Sequence, residues 1–296
     1  MARIRKLTMA GINIVTHPHS PQGYVRLLKK TFDLRQTAAI RASQHMMIGE
    51  LRLYSDNDPQ HRLTGRIYRF LQIDKNAPWF NVARHDVATD AELRRINIPD
   101  ELRPNTEMFD FVFYPRGHTL YFDTHSNAAR ASEQKTLSAG QVGKMLNILF
   151  SHVEILHEFG QVEVTVLPER EQLELILSIY QLNKLTIEVT RPNPDELGAA
   201  QARVFTRLGN LKARKAKYEL TAESGESITP DDETKQIALV AASNGFVIGH
   251  GRDRAGLIVT ESTKDKPWGQ QVPYNPEVEV STEVLVAATE KLPGHG

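Results

Sequence analysis

The chain has 296 residues, and its 36 Lys plus Arg balance 36 Asp plus Glu, so the formal net charge is zero. It has no cysteine, which excludes a disulfide scaffold, a thiolate zinc site, an iron–sulfur cluster and a cysteine nucleophile. Hydrophobic residues at 40% and charged residues at 24% describe a globular chain, long enough for one large domain or two modest ones.

In chain order, Met1–Leu7 lacks the apolar core of a signal peptide, and no window approaches the roughly 20 apolar residues that span a bilayer. The expectation is a cytoplasmic protein without membrane contact. Leu7–Val15 is apolar and partly β-branched and reads as a strand. Ser20-Pro21 reads as an N-cap with Pro at the first helical position, and Tyr24, Leu27, Leu28 and Phe32 carry that helix to about Phe32. Met46–Tyr54 and Arg66–Ile73 read as strands joined by a turn at Asp56-Asn57-Asp58-Pro59. The stretch from Asn76 to Arg103 is irregular, with a short helical piece at Ala91–Arg95. In Met108–Tyr114 both faces are apolar, which predicts a central strand. Pro115–His118 turns it into a hairpin partner, Thr119–Phe122. Polar Asp123–Ser138 is the expected domain boundary.

Ser138 caps the longest expected helix, with Val142, Met145, Leu146, Leu149, Val153 and Leu156 on one face and Gly160 at its end. Val162–Val166, Leu173–Tyr180 and Leu185–Val189 then read as strand, helix and strand, with a right-handed crossover if the strands pair in parallel. Asn193 reads as the cap of a helix running from Pro194 to Leu208, terminated by Gly209. Leu211–Leu220 reads as a strand, and Thr229-Pro230-Asp231-Asp232 opens a helix that closes at Asn244-Gly245. Phe246–Ile248 and Leu257–Thr260 form a hairpin around His250–Gly256. The Pro-containing end reads as an extended tail that needs a partner surface. The expected fold is α+β: a mixed-sheet domain at 1–130, an α/β-type domain at 131–265 and a tail at 266–296.

Two basic runs carry the strongest functional signal. Met1–Arg41 holds eight cations, among them Arg3, Arg5 and Lys6, against the single acid Asp33. Arg203–Lys217 holds six, Arg203, Arg207, Lys212, Arg214, Lys215 and Lys217, and no acid. Several cations together suit phosphate contact. A solvated surface is the plainer explanation, and the six acids of Glu219–Glu233 also allow internal pairing. In the second run the helix dipole already accounts for Arg203 and Arg207, which leaves Lys212, Arg214, Lys215 and Lys217 as the expected polyanion contacts. Arg252 and Arg254, between Gly249, Gly251 and Gly256, are further bidentate donors. Tyr68, beside Arg66 and Arg69, and Trp79 are candidates for base stacking.

His152 and His157 are five residues apart, one more than zinc-protease geometry requires, so they do not share a catalytic metal. His17, His19, His118 and His125 are loop histidines, and no metal or cofactor is expected. No phosphate-binding glycine loop and no Gly-x-Ser-x-Gly elbow occurs.

The stretches Gly65-Arg-Ile-Tyr-Arg69 through Ala77-Pro-Trp-Phe80, Ile98-Pro-Asp-Glu-Leu-Arg-Pro-Asn105, Phe109 to His118 and Arg191-Pro-Asn-Pro-Asp195 resemble an uncharacterised bacterial domain-of-unknown-function family, over most of residues 1–265. The resemblance implies a protein that travels with mobile elements and defence islands, and so a role against phage. It carries over no catalytic residue.

The expectation is a non-enzymatic subunit of a bacterial defence system that contacts RNA or DNA or serves in assembly, with a protein partner or further copies of itself. One alternative is a nuclease or phosphodiesterase using His118 and Arg116, or Arg252 and Arg254. The other is a protein-interaction module without nucleic acid.

Overall fold

The computed structural model describes residues 4–53, 61–74, 76–127, 134–193 and 198–292. Arg3 and the turn expected at Asp56–Pro59 lie outside them. The fold is α+β, and all strand pairing among the described residues is antiparallel.

The first and larger sheet contains β1 (Arg5–Val15), β2 (Ala38–Arg41), β3 (Gln44–Leu53), β4 (Leu63–Leu71), β7 (Glu107–Tyr114), β8 (Thr119–Asp123), β9 (Glu163–Val166) and β14 (Gly269–Tyr274). Its order is β14-β1-β8-β7-β4-β3-β2, and β9 shares the β14 side of β1, at Ile12–Val15. A small hairpin of β5 (Phe80–Asn81) and β6 (Asp86–Val87), followed by α2 (Asp90–Leu93), is inserted between β4 and β7 in the chain.

β7 is the central strand its composition predicts. Phe109, Phe111 and Phe113 enter one core with β1, β8 and the helices α1 (Pro21–Asp33), α3 (Ala139–Phe150) and α4 (Val153–Phe159). Val112 and Tyr114 enter the opposite core with Leu7, Met9, Tyr121 and α8 (Ser281–Thr289). Ser20 caps α1 as expected, its Oγ accepting from the Gly23 N–H at 3.0 Å.

The smaller sheet has the order β11-β10-β12-β13, from β10 (Gln181–Thr190), β11 (Lys215–Thr221), β12 (Gly245–Arg252) and β13 (Ile258–Ser262). Leu182, Leu185, Ile187, Val189 and Val247 face α5 (Arg170–Leu177), α6 (Ala199–Asn210) and α7 (Asp232–Ser243). The alternate residues of β10, from Lys184 to Thr190, lie on the other face.

Several expectations are corrected. The long helix is two, because the chain breaks at Ser151–His152, where the His152 ring accepts from the Glu154 N–H as the cap of α4. Val153 therefore leaves the apolar stripe and is 72% exposed. Gly160 does end α4, with φ at 68°. No crossover unit forms from β9, α5 and β10, because β9 belongs to the first sheet and β10 to the second. The cores divide after β9 rather than in the polar stretch 123–138, since α3, α4 and β9 pack on the first sheet. The C-terminal segment is not an extended tail: β14 pairs with β1, and α8 covers the second face of the larger sheet.

Residues 170–262 are thus a module set between two strands of the larger sheet. The chain goes out and returns side by side, with Pro168 bridged to Pro267 and the Trp268 N–H donating to the Leu167 carbonyl at 2.7 Å.

Candidate functional site

The predicted cations do not form one patch. Arg5 and Lys6 begin β1, where Arg5 lies opposite Tyr274 and exposed Lys6 opposite Pro273. Burial raises the Tyr274 hydroxyl, and the Arg5 guanidinium partly offsets this. Arg252 pairs with Gln181 at one end of β10, while Lys215 pairs with Thr190 at the other. At the strand rise this separates them by about 30 Å. The Arg252 guanidinium folds back onto the Gly256 carbonyl at 2.8 Å, and Arg254 is exposed in the same turn.

The second basic run divides at the end of α6. The helix does not stop at Gly209. Lys212 takes the left-handed conformation at φ 50°, its N–H reaching the Gly209 carbonyl at 3.0 Å, and the Ala213 N–H reaches the Leu208 carbonyl at 2.9 Å. This is the paired hydrogen-bond pattern with which helices commonly end, with Lys where Gly is usual. β11 then starts at Lys215, so Lys212 and Arg214 are not strand residues, and Ala216 and Tyr218 are the inward ones.

The cations after the helix have partners. Arg214 pairs with Glu163 of β9, and Lys215 reaches Glu163 at 3.2 Å and Glu188 at 3.3 Å. Lys217 meets Glu219 at 3.3 Å, which Lys184 also holds at 2.8 Å. The Glu219 carboxyl is held below its ordinary range by hydrogen bonds from Lys184 and then Lys217. Glu163 belongs to the larger sheet, so Arg214 and Lys215 clamp the two halves together. Lysines on the edge strand β11 also suit a sheet edge that must not pair further. Among the described residues, Arg203, Arg207 and Lys212 have no such carboxylate partner, and all three are exposed. The Arg207 guanidinium lies 5.9 Å from the Tyr218 ring centre. Glu233 of α7 borders the same small pocket as Arg203 and Arg207.

The loop histidines build a second cluster. The Tyr24 hydroxyl donates to Asn193 Oδ1 at 2.9 Å and accepts from the Thr16 N–H at 3.3 Å. That hydroxyl has one proton, already given to Asn193, so the His19 contact at 2.9 Å places a proton on His19 Nδ1. Asn13 Nδ2 donates to the Ser243 carbonyl at 2.8 Å and to Asn244 Oδ1 at 3.2 Å. Asn13 Oδ1 is then the acceptor for His118 Nδ1 at 2.7 Å. The His118 ring lies 5.5 Å from that of His19, on a backbone with φ at 42°. His17 contacts the Arg191 carbonyl at 3.2 Å, and burial lowers its pKa. Asn193 is therefore not the cap of α6: it is 3% exposed and committed to Tyr24 and the Ile14 carbonyl. The cap position is Gly198, whose N–H donates to Gln201 Oε1 at 3.1 Å, and residues 194–197 lie outside the described ones.

This cluster ties β1, α1 and the β7–β8 turn to β10 and α7. It was illegible in sequence because its members are separated by up to 231 positions. His125 lies elsewhere, beside Asp123 at 3.9 Å. Among the described residues, no three His, Asp or Glu side chains are grouped to hold a metal ion.

Neither stacking candidate is an open platform. The Tyr68 ring presses on Gly49, where an added Cβ would collide with it. Trp79 is half-buried, with its indole Nε1 buried.

Among the described residues, no helix is long and apolar enough to cross a membrane. The model of the family described as Domain of unknown function (DUF4747) matches residues 5–290, and the chain belongs to that family. The match continues past residue 265 through β14 and α8, in keeping with their place in the larger sheet. No curated protein matches the chain.

Proposed function

Taking membership of that family as the premise, we propose that the protein is a non-enzymatic subunit that contacts nucleic acid through the exposed side of α6 and its final turn. The observation that carries this reading is the division of the basic run. Arg214, Lys215 and Lys217 pair with carboxylates, whereas Arg203, Arg207 and Lys212 have no carboxylate partner among the described residues. Arg203 and Arg207 are one helical turn apart on one face, and Lys212 extends the row past the C-terminus. Cations so arranged bind phosphate without reading bases. The setting proposed is phage defence in the bacterial cytoplasm, which rests on what the sequence resemblance implies, while the matched family itself carries no function.

The test is retention of single-stranded RNA, single-stranded DNA and duplex DNA at low salt. Wild-type affinity should fall with salt, by about −0.7 in log–log slope per phosphate on single strands and about −0.9 on duplex. The triple substitution Arg203→Glu, Arg207→Glu, Lys212→Glu should abolish binding, and Lys217→Glu should leave most of it. Undiminished binding in the triple variant would remove α6 from the reading, and no retention of any nucleic acid would remove the reading itself.

Assembly with another protein is the second reading. It is favoured by the β5–β6 hairpin, where Phe80 is 62% exposed and Val82 75%. Co-purification that survives high salt and is lost on Phe80→Ser would select it.

A further inference from the structure

A cleft of about 630 Å³ lies between α3 and β9 of the larger sheet and the segments flanking β12 and β13 of the module. This volume is in the range of small-molecule sites, which favour junctions between structural units. One wall is apolar, from Ile148, Val164 and Val166. The opposite wall presents Thr263 and Lys264. The lining includes two lysines, Lys144 and Lys264, and no acid.

The lysines are not equivalent. Lys144 donates to the Ile40 carbonyl, so its ammonium is engaged on β2. The Lys264 ammonium sits 3.6 Å from the centre of the Phe246 ring. Among the described residues Lys264 forms no ion pair, and the nearby Glu188 is engaged by Lys215 at 3.3 Å. Burial pushes the Lys264 ammonium down, with Glu188 opposing and Lys215 assisting. Lys264 thus brings a partly desolvated ammonium to the edge of a half-apolar cleft without acids in its lining, which suits an anion with an apolar body.

We propose that this cleft binds a small organic anion, its charge on Lys264 and its apolar body against Ile148, Val164 and Val166. This site is separate from the α6 face and does not depend on it.

The probe is 8-anilinonaphthalene-1-sulfonate, read by fluorescence on the full chain, with N-phenyl-1-naphthylamine as the neutral analogue. The sulfonate should bind saturably and one to one, at least tenfold tighter than the neutral analogue. Lys264→Gln should remove that preference. Gly140→Leu should weaken both probes at least tenfold: Gly140 lines the cleft, and a Cβ there meets no heavy atom within 4 Å, so the added bulk enters the opening without disturbing α3. Both variants should melt within a few degrees of the parent. Undiminished binding in Gly140→Leu, or no saturable binding in the parent, would overturn the site. An unchanged preference in Lys264→Gln would overturn the anion.

Discussion

The larger sheet carries an apolar core on each face and the smaller one on a single face, and this difference decides what their charged residues do. In β7 the alternation disappears because both neighbouring layers are apolar, and the carboxylate in its interior, Asp110, is 2% exposed. Asp110 is fully engaged there, accepting from Arg66 at 3.0 Å, Asn127 at 2.7 Å and Ser281 at 2.6 Å. In β10 the alternation survives. Leu185, Ile187 and Val189 face the helices, while Lys184 and Glu188 face outward and trade ion pairs with β11. Asp110 in the larger sheet is a buried charge held by an ion pair and hydrogen bonds, whereas Lys184 and Glu188 in the smaller one pair at the surface.

The sharpest way to break this contrast is in the shared core. Phe111 is fully buried, and its Cζ would lie 2.6 Å from a Cβ added at Gly65, so the ring is tightly enclosed. Phe111→Ala should cost about 3–5 kcal/mol, toward the upper end because a two-sided sheet cannot collapse into the cavity. Leu185→Ala should cost less, about 2–3 kcal/mol, because the smaller sheet carries an apolar core on one face only. Equal losses in denaturant midpoint would erase the distinction.

The next effect is a pH dependence confined to the larger sheet. Burial, with the nearby Asp110 charge adding to it, raises the Asp123 carboxyl from 3.8 to about 7, although backbone hydrogen bonds at His125 and Thr8 pull it back. The unfolded chain releases this proton near pH 4 and the folded protein near pH 7, so stability should fall as pH rises between them. The ceiling is about 4 kcal/mol, at about 1.4 per pH unit. Asp123→Asn should flatten that part of the urea-midpoint profile, and an unchanged profile would place the titration elsewhere.

The smallest effects separate the two ways in which the halves are joined. Asn13→Ala strands buried partners on Ser243, Asn244 and His118, and should cost about 1–3 kcal/mol. Glu163→Ala removes only the half-exposed pairs with Arg214 and Lys215, and should cost under about 1 kcal/mol and vanish at high salt. A larger loss for Glu163→Ala by calorimetry would make the ion pairs the principal clamp.

What sequence could supply depended on how local the cause was. Ser20 before Pro21 fixes the start of α1 with atoms three residues apart, and the alternating phenylalanines of β7 announce two apolar layers without naming them. The break at His152 was hidden because Val153 and Leu156 keep the helical spacing, although only tertiary packing decides which positions are covered. Asn193 has the right chemistry for a cap, but Tyr24, 169 positions away, takes its oxygen instead. The basic run failed as a unit for the same reason: Glu163, the partner of Arg214, lies 51 positions upstream on the other sheet. The C-terminal prolines suggested an undocked tail, yet Pro273 sits on an edge strand, where a missing N–H does no harm.

The Pro168–Pro267 bridge makes the smaller module a closed detour in an otherwise continuous sheet. Opposed residues of an antiparallel pair stand only about 4.5–5.5 Å apart, so a two-residue turn could span the gap if residues 169–266 were cut out. The shortened chain would keep β9 and β14 on their places along β1, because their hydrogen bonds do not pass through the module. It would expose Asn13, Tyr24 and His118 as a bare socket. The removed piece, whose ends are neighbours, would be a natural candidate for transplantation into another host loop, as units with adjacent termini tolerate insertion.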